Sequence, residues 1–135
     1  MTNDQVRMTN DGSATPRKQY DLEERTALLG ERAVRFARTL PQDAITRPLI
    51  SQFVRAATSV GANYCEADDA ESRRDFRHKI ALCRKESRET RHWLRMLAAA
   101  LPDCSETARD LWRETQELNR IFGAIGRKLI DQPTD

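Results

Sequence analysis

Between Phe76 and Leu129, apolar and small residues recur at alternating steps of three and four, broken once at Pro102. Phe76, Ile80, Cys83, Ser87, Thr90, Leu94, Leu97 and Leu101 form the first series. Cys104, Ala108, Leu111, Thr115, Leu118, Phe122, Ile125 and Leu129 form the second. This spacing puts successive side chains on one stripe of an α-helix, whereas a strand, with its period of two, would scatter them over both faces. A short connection makes the two helices antiparallel. Folding the second back on the first about residues 102–103 sets Leu94 against Leu111, Ser87 against Leu118, Cys83 against Phe122, Ile80 against Ile125 and Phe76 against Leu129. Small then meets large in the middle layers, as close packing requires. The same fold-back sets Trp93 beside Trp112 at the edge of the core.

Two blocks precede this pair. Leu22, Leu29, Ala33, Phe36 and Leu40 share a helical stripe, which predicts a helix over about 21–40 closed by Pro41. Thr46 with Pro48 reads as an N-cap and first-turn proline, opening a second helix over about 47–68. Ser72 with Asp75 forms a capping pattern ahead of the third helix, and Asp103 with Glu106 repeats it ahead of the fourth. Charged residues make up 33% and aromatics 6%, which suits soluble helices better than a sandwich of short strands. The expected fold is all-α, an up-down-up-down antiparallel four-helix bundle in one domain over 21–131. Residues 1–20 carry Gly12, Ser13 and Pro16 and no apolar period, so a flexible N-terminal tail is expected there.

The charge pattern separates the helices. On a wheel of about 100° per residue, Leu49, Phe53, Ala56, Val60, Tyr64 and Ala67 form the core side of the second helix. Its opposite side is uncharged, with Arg55 and Glu66 only at one margin. A helix lacking a charged face is usually buried all round. An oligomer built through Val54, Thr58, Gly61, Ala62 and Cys65 is therefore expected, the alternative being an exposed but uncharged helix.

The third helix holds Arg73, Arg77, Arg84, Arg88, Arg91 and Arg95 within about 60°, with Asp75, Glu86 and Glu89 on the other flank. On the fourth, Arg109, Arg113, Arg120 and Arg127 fall within about 40°, opposite its core. The net charge of +2 does not by itself imply nucleic-acid binding, but a row of guanidinium groups matches a phosphate backbone. Contacts to RNA or DNA are expected from Arg77, Arg84, Arg88 and Arg91, assisted by Arg113 and Arg120. Two readings compete with this one. In the first, the stripe is a solvated face bridged to acids of the first helix or of a neighbouring subunit. In the second, the protein is an interaction adaptor whose charged faces meet an acidic protein without nucleic acid.

Signals for catalysis are missing. The chain has one Glu-x-x-His spacing, Glu89 and His92, with no second to complete a di-metal set, and no glycine-rich phosphate loop or Gly-x-Ser-x-Gly elbow. His78 and His92 lie too far apart to share a metal ion, so neither a catalytic residue, a metal nor a cofactor is expected. Glu86 and Glu89 read as partners for neighbouring arginines, and Asn63 and Glu66 as groups serving the turn between the second and third helices. Cys65, Cys83 and Cys104 lack paired spacing and read as reduced structural thiols. No apolar run approaches the roughly 20 residues that span a bilayer, and the N-terminus has no apolar signal-peptide centre. A cytoplasmic protein with no membrane partner is expected.

The stretch "SVGANYCEADDAESRRDFRHKIALCRKESRETRHWLRML" resembles the bacterial four-helix bundle family often encoded within 23S ribosomal RNA intervening sequences. Ser59, Ala62, Asn63, Glu66 and Ala67, then Ser72 and Phe76, then "KES" with Glu89 carry the resemblance. It implies a homopentamer of four-helix protomers, no established enzymatic activity and a proposed nucleic-acid role. Similar bundles are accessory proteins of diversity-generating retroelements, so the resemblance also implies a reverse transcriptase as a candidate partner.

Overall fold

The computed structural model describes residues 21–130, and the tail expected over 1–20 lies outside them. Four helices, α1 (Leu22–Arg38), α2 (Thr46–Asp68), α3 (Arg73–Ala100) and α4 (Ser105–Ile130), form an all-α four-helix bundle, with no strand among the described residues. Each helix packs on its neighbours in sequence, and α1 closes the square against α4. The α1–α4 side is the most sparsely joined, and across the diagonals the backbones stay apart while side chains meet in the core.

The helix boundaries follow from local chemistry. Ser72 stands in extended backbone ahead of α3, and its Oγ accepts a hydrogen bond from the Asp75 amide at 3.0 Å. That bond satisfies one of the orphan donors of the first turn. The helix stops before Pro102, which has no N–H to donate and whose ring crowds the preceding turn. A 3-10 turn over Pro102–Cys104, with no side-chain cap, leads into α4 in place of the expected Asp103 cap.

The start of α2 corrects the sequence reading. Thr46 is the first helical residue and does not cap. Asp43 does so, its Oδ1 accepting from the amides of Ile45 and Thr46, both at 2.8 Å. Thr46 is buried and latches the turn, its hydroxyl donating to the Pro41 carbonyl at 2.8 Å. The Thr46 amide and then the Ile45 amide hold the Asp43 carboxyl below its ordinary range, so this cap is present at neutral pH and is lost as acid protonates it.

The core is one cluster running the length of the bundle. Phe53, Leu94, Leu97, Leu118 and Phe122 are fully enclosed, and Phe36 meets Phe53 edge-on at 5.9 Å. Ser87, Thr90 and Thr115 enter this core with no exposed surface. Each hydroxyl donates to a carbonyl one turn back: Ser87 to Arg84, Thr90 to Glu86 and Thr115 to Leu111. Polar side chains can thus occupy core positions without an unmet donor. Trp112 lies under the Arg91 guanidinium, 5.6 Å from its ring centre, whereas Trp93 meets His92 edge-on.

Helices α1 and α2 cross closely through glycine. A Cβ on Gly61 would stand 3.2 Å from the Thr26 carbonyl oxygen of α1, and one on Gly30 would stand 3.6 Å from the Thr58 Cα of α2. Part of the small-residue side of α2 is therefore occupied by α1 of the same chain. Gly61→Val forces methyl groups into the α1 backbone and is expected to lower stability by about 1–3 kcal/mol. Gly126, whose added Cβ would meet nothing within 4 Å, provides the contrast. Gly126→Ala is expected to raise stability by about 1 kcal/mol through helix propensity. Urea unfolding of the two variants beside the parent measures both, and equal midpoints would refute the close crossing.

Candidate nucleic-acid interface

Sorting of charge along α3 is resolved by what packs on each flank. Arg55 of α2 reaches over to Glu86 at 3.2 Å and Glu89 at 2.7 Å, and Lys79 of α3 meets Glu66 of α2 at 2.6 Å. The acids on the α2 side are thus paired, as expected for Glu86 and Glu89. Glu66 bridges the two helices flanking the turn, but Asn63 does not serve that turn. Its Nδ2 donates to the Ser59 carbonyl within α2 at 2.9 Å. Across the bundle, Arg25 of α1 grips Glu114 of α4 through two bonds of 2.9 and 3.1 Å.

The opposite flank of α3 has no such partners. Among the described residues Arg84, Arg88, Arg91 and Arg95 of α3 make no ion pair, nor do Arg109, Arg120 and Arg127 of α4. The solvated-face reading places bridges to acids of α1 or of a neighbouring subunit, and the described residues of α1 supply none to these side chains. Asn119 of α4 ties the two helices together here, its Nδ2 donating to the Arg84 carbonyl at 2.9 Å and to Ser87 Oγ at 2.8 Å. That clamp holds the arginine rows of α3 and α4 at the two edges of one seam.

Three depressions follow the seam. At one end Arg84, Arg120 and Arg127 surround Asn119 and Gly123 in a hollow of about 450 Å³ with no acidic residue in its wall. In the middle Arg88, Arg91, Arg95 and His92 gather round Trp112. At the far end Arg95, Arg109 and Arg113 rim an apolar floor of Leu94, Ala98, Ala108 and Trp112. From Arg84 to Arg95 the row rises about 16 Å at 1.5 Å per residue. A nucleic-acid strand advancing about 3.4 Å per phosphate would set several phosphates along that length.

The six arginines singled out in the sequence are thereby distributed. Arg84 and Arg120 share the first hollow, Arg88 and Arg91 the second, and Arg113 rims the third. Arg113 also pairs with Asp110 at 3.3 Å on its own helix, leaving it less available than the others. Arg77 is half-buried and lines none of the three. Arg127, Arg95 and Trp112 belong to the seam although the sequence reading gave them no role in binding. The wheel placed both arginines with the stripes, but only the packing of α4 on α3 reveals which stripe members face one another. Trp112 has one face covered by Arg91, a cation–π arrangement that orients the guanidinium.

A second concave region lies between α1 and α2, a groove of about 900 Å³. Thr58, Gly61, Ala62 and Cys65 line it from α2, and Ala27, Gly30 and Val34 line it from α1, with Glu23, Glu24 and Glu31 at its rim. Val34 is 40% exposed, unusual for a large aliphatic residue here. Val54 is half-buried against the core and does not line the groove.

Among the described residues no group of three or more His, Cys, Asp or Glu is placed to hold a metal ion. Burial pushes the Cys83 thiol from 9.0 up to about 12, so it remains protonated and acts as a small core residue. No described helix is long and apolar enough to cross a membrane.

Fold and seam together define a four-helix bundle protein with a basic helix–helix groove. Residues 18–124 match the 23S rRNA-intervening sequence protein family, and the chain belongs to that family. A solved structure of similar shape is a protein of unknown function from the S23 ribosomal protein family of Bacteroides thetaiotaomicron. It shares 28% identity and a TM-score of 0.71, over 78% of this chain and 97% of its own. No curated protein matches the chain.

Proposed function

We propose that this protein is a non-enzymatic, cytoplasmic nucleic-acid binder that takes RNA, or less favourably DNA, along the α3–α4 seam. The carrying observation is the separation of charge on α3: Glu86 and Glu89 are paired on the α2 side, while Arg84, Arg88, Arg91 and Arg95 make no ion pair among the described residues. Unpaired guanidinium groups held in a row are donors awaiting a polyanion. Family membership supports RNA as the polyanion, because the family is described by its association with a ribosomal RNA insertion. The natural setting is the processing or packaging of such an insertion, or service to a reverse transcriptase that acts on RNA. Labelled single- and double-stranded RNA and DNA, titrated at low salt, test the reading. Absence of binding to any of them overturns it.

Self-assembly completes the reading. Thr58, Ala62 and Cys65 are exposed on the wall of the α1–α2 groove, and the Val34 side chain beside them is half uncovered. A homo-oligomer, taken as a pentamer, buries this region and repeats the basic seam around its axis. Ala62→Arg places a long charged side chain in a contact lined by small residues and is expected to reduce the particle to monomers while circular dichroism is retained. Light scattering after size exclusion reads the mass. A parent protein already monomeric at micromolar concentration removes the assembly from the proposal.

A further inference from the structure

Gly123 stands inside the continuous helix α4, where almost any other residue would make a better helix former. It is buried, yet the atoms covering it are guanidinium groups. A Cβ at this position would stand 3.5 Å from Arg127 Nη1 and 3.7 Å from Arg84 Nε. Two cations on different helices therefore converge over one bare patch of backbone. Like charges separate when nothing lies between them, and no carboxylate lines the hollow they share with Arg120. Neither arginine makes an ion pair among the described residues.

We propose that Arg84 and Arg127 form a clamp for a single phosphate group seated over Gly123, the anchoring point from which a nucleic-acid backbone is threaded along the seam. The two donors are close enough for oxygens of one phosphate to accept from both, with charge-assisted bonds of about 2.7–2.9 Å. Gly123 keeps the hollow open: a methyl fits at ordinary contact distance, but a longer side chain would stand between the two guanidinium groups. Asn119 steadies the clamp from below by fixing the Arg84 backbone to α4. The site deepens the nucleic-acid reading and rests on it for the carrier of the phosphate. The clamp itself depends only on the chemistry of the group held.

Full-length protein is titrated with inorganic phosphate at low ionic strength while the arginine Nε–H resonances are followed by NMR, with chloride as the control. The Arg84 and Arg127 signals are expected to shift saturably in phosphate and not in chloride. Gly123→Asp sets an internal carboxylate where the anion sits and should weaken phosphate at least tenfold with helix content unchanged. Gly123→Ala adds only a methyl at ordinary contact distances and should leave phosphate binding in place. An unsaturable wild-type response overturns the clamp, as does a Gly123→Asp variant that binds phosphate like the parent. Competition then identifies the carrier. If RNA displaces phosphate from Arg84 and Arg127, the anchor lies on the nucleic-acid track. If phosphate binds but RNA neither binds nor competes, the clamp stands, the carrier is a small free phosphate compound, and the threaded-backbone part of the proposal falls.

Discussion

Replacing Arg84 and Arg88 together with glutamine is expected to flatten the salt dependence of RNA binding. If about six arginines of the seam contact a single-stranded RNA, the parent protein loses roughly 300-fold in affinity between about 50 and 200 mM salt. Each phosphate contact on a single strand adds about 0.7 to the slope of log affinity against log salt, so removing two reduces that loss to roughly 50-fold. The pair samples two of the three hollows, Arg84 beside Arg120 and Arg127, and Arg88 beside Arg91, Arg95 and His92. Neither side chain makes an ion pair in the described structure, so helicity and assembly should be untouched. The bond from Asn119 goes to the Arg84 carbonyl and survives the substitution. Fluorescence anisotropy with a labelled single-stranded RNA at four salt concentrations measures the slope. An unchanged slope returns the seam arginines to the status of a hydrated surface.

Phe122→Ala is expected to be the most destabilising single truncation near the seam. The ring has no exposed surface and meets Tyr64 of α2 at 6.3 Å between centres. It fills the layer in which the sequence register places Cys83 of α3. Removing it takes away a full aromatic burial and leaves a cavity among three helices, at a loss of about 3–5 kcal/mol. Against a domain stability of about 5–15 kcal/mol, that shift brings the bundle close to unfolding at physiological temperature. Phe122→Leu, which refills most of the volume, should lose far less. Urea unfolding of the three proteins provides the comparison. A Phe122→Ala loss under about 1 kcal/mol would mean that α2 and α4 are not held together through this layer.

These two residues illustrate how differently fold and site can be read from a linear chain. Phe122 declared itself through spacing, because a helical stripe requires core residues at steps of three and four and few other patterns produce it. The buried serine and threonines were legible for the same reason, since their positions continue the stripe although their chemistry does not. Arg84 and Arg127 were each visible as members of a stripe, but a wheel drawn for one helix says nothing about the rotation of its neighbour. The turn ahead of α2 failed for a shorter-range reason. Asp43 and Thr46 both have capping side chains, and which one serves the amides depends on a latch to the Pro41 carbonyl that propensity alone does not anticipate.

The same division holds for the charged faces. The sequence by itself determined four helices, their antiparallel order and the sorting of arginines from acids along α3, because periodicity and composition are local properties of a chain. Tertiary structure decided which charges were already satisfied. Arg55 reached the acids of α3 from another helix and left the arginines on the far flank facing α4. It also decided that the small side of α2 is shared, Gly61 lying against the Thr26 backbone while Ala62 and Cys65 remain exposed. Pairing and close approach depend on distances between segments remote in sequence, and only the packed bundle sets those distances.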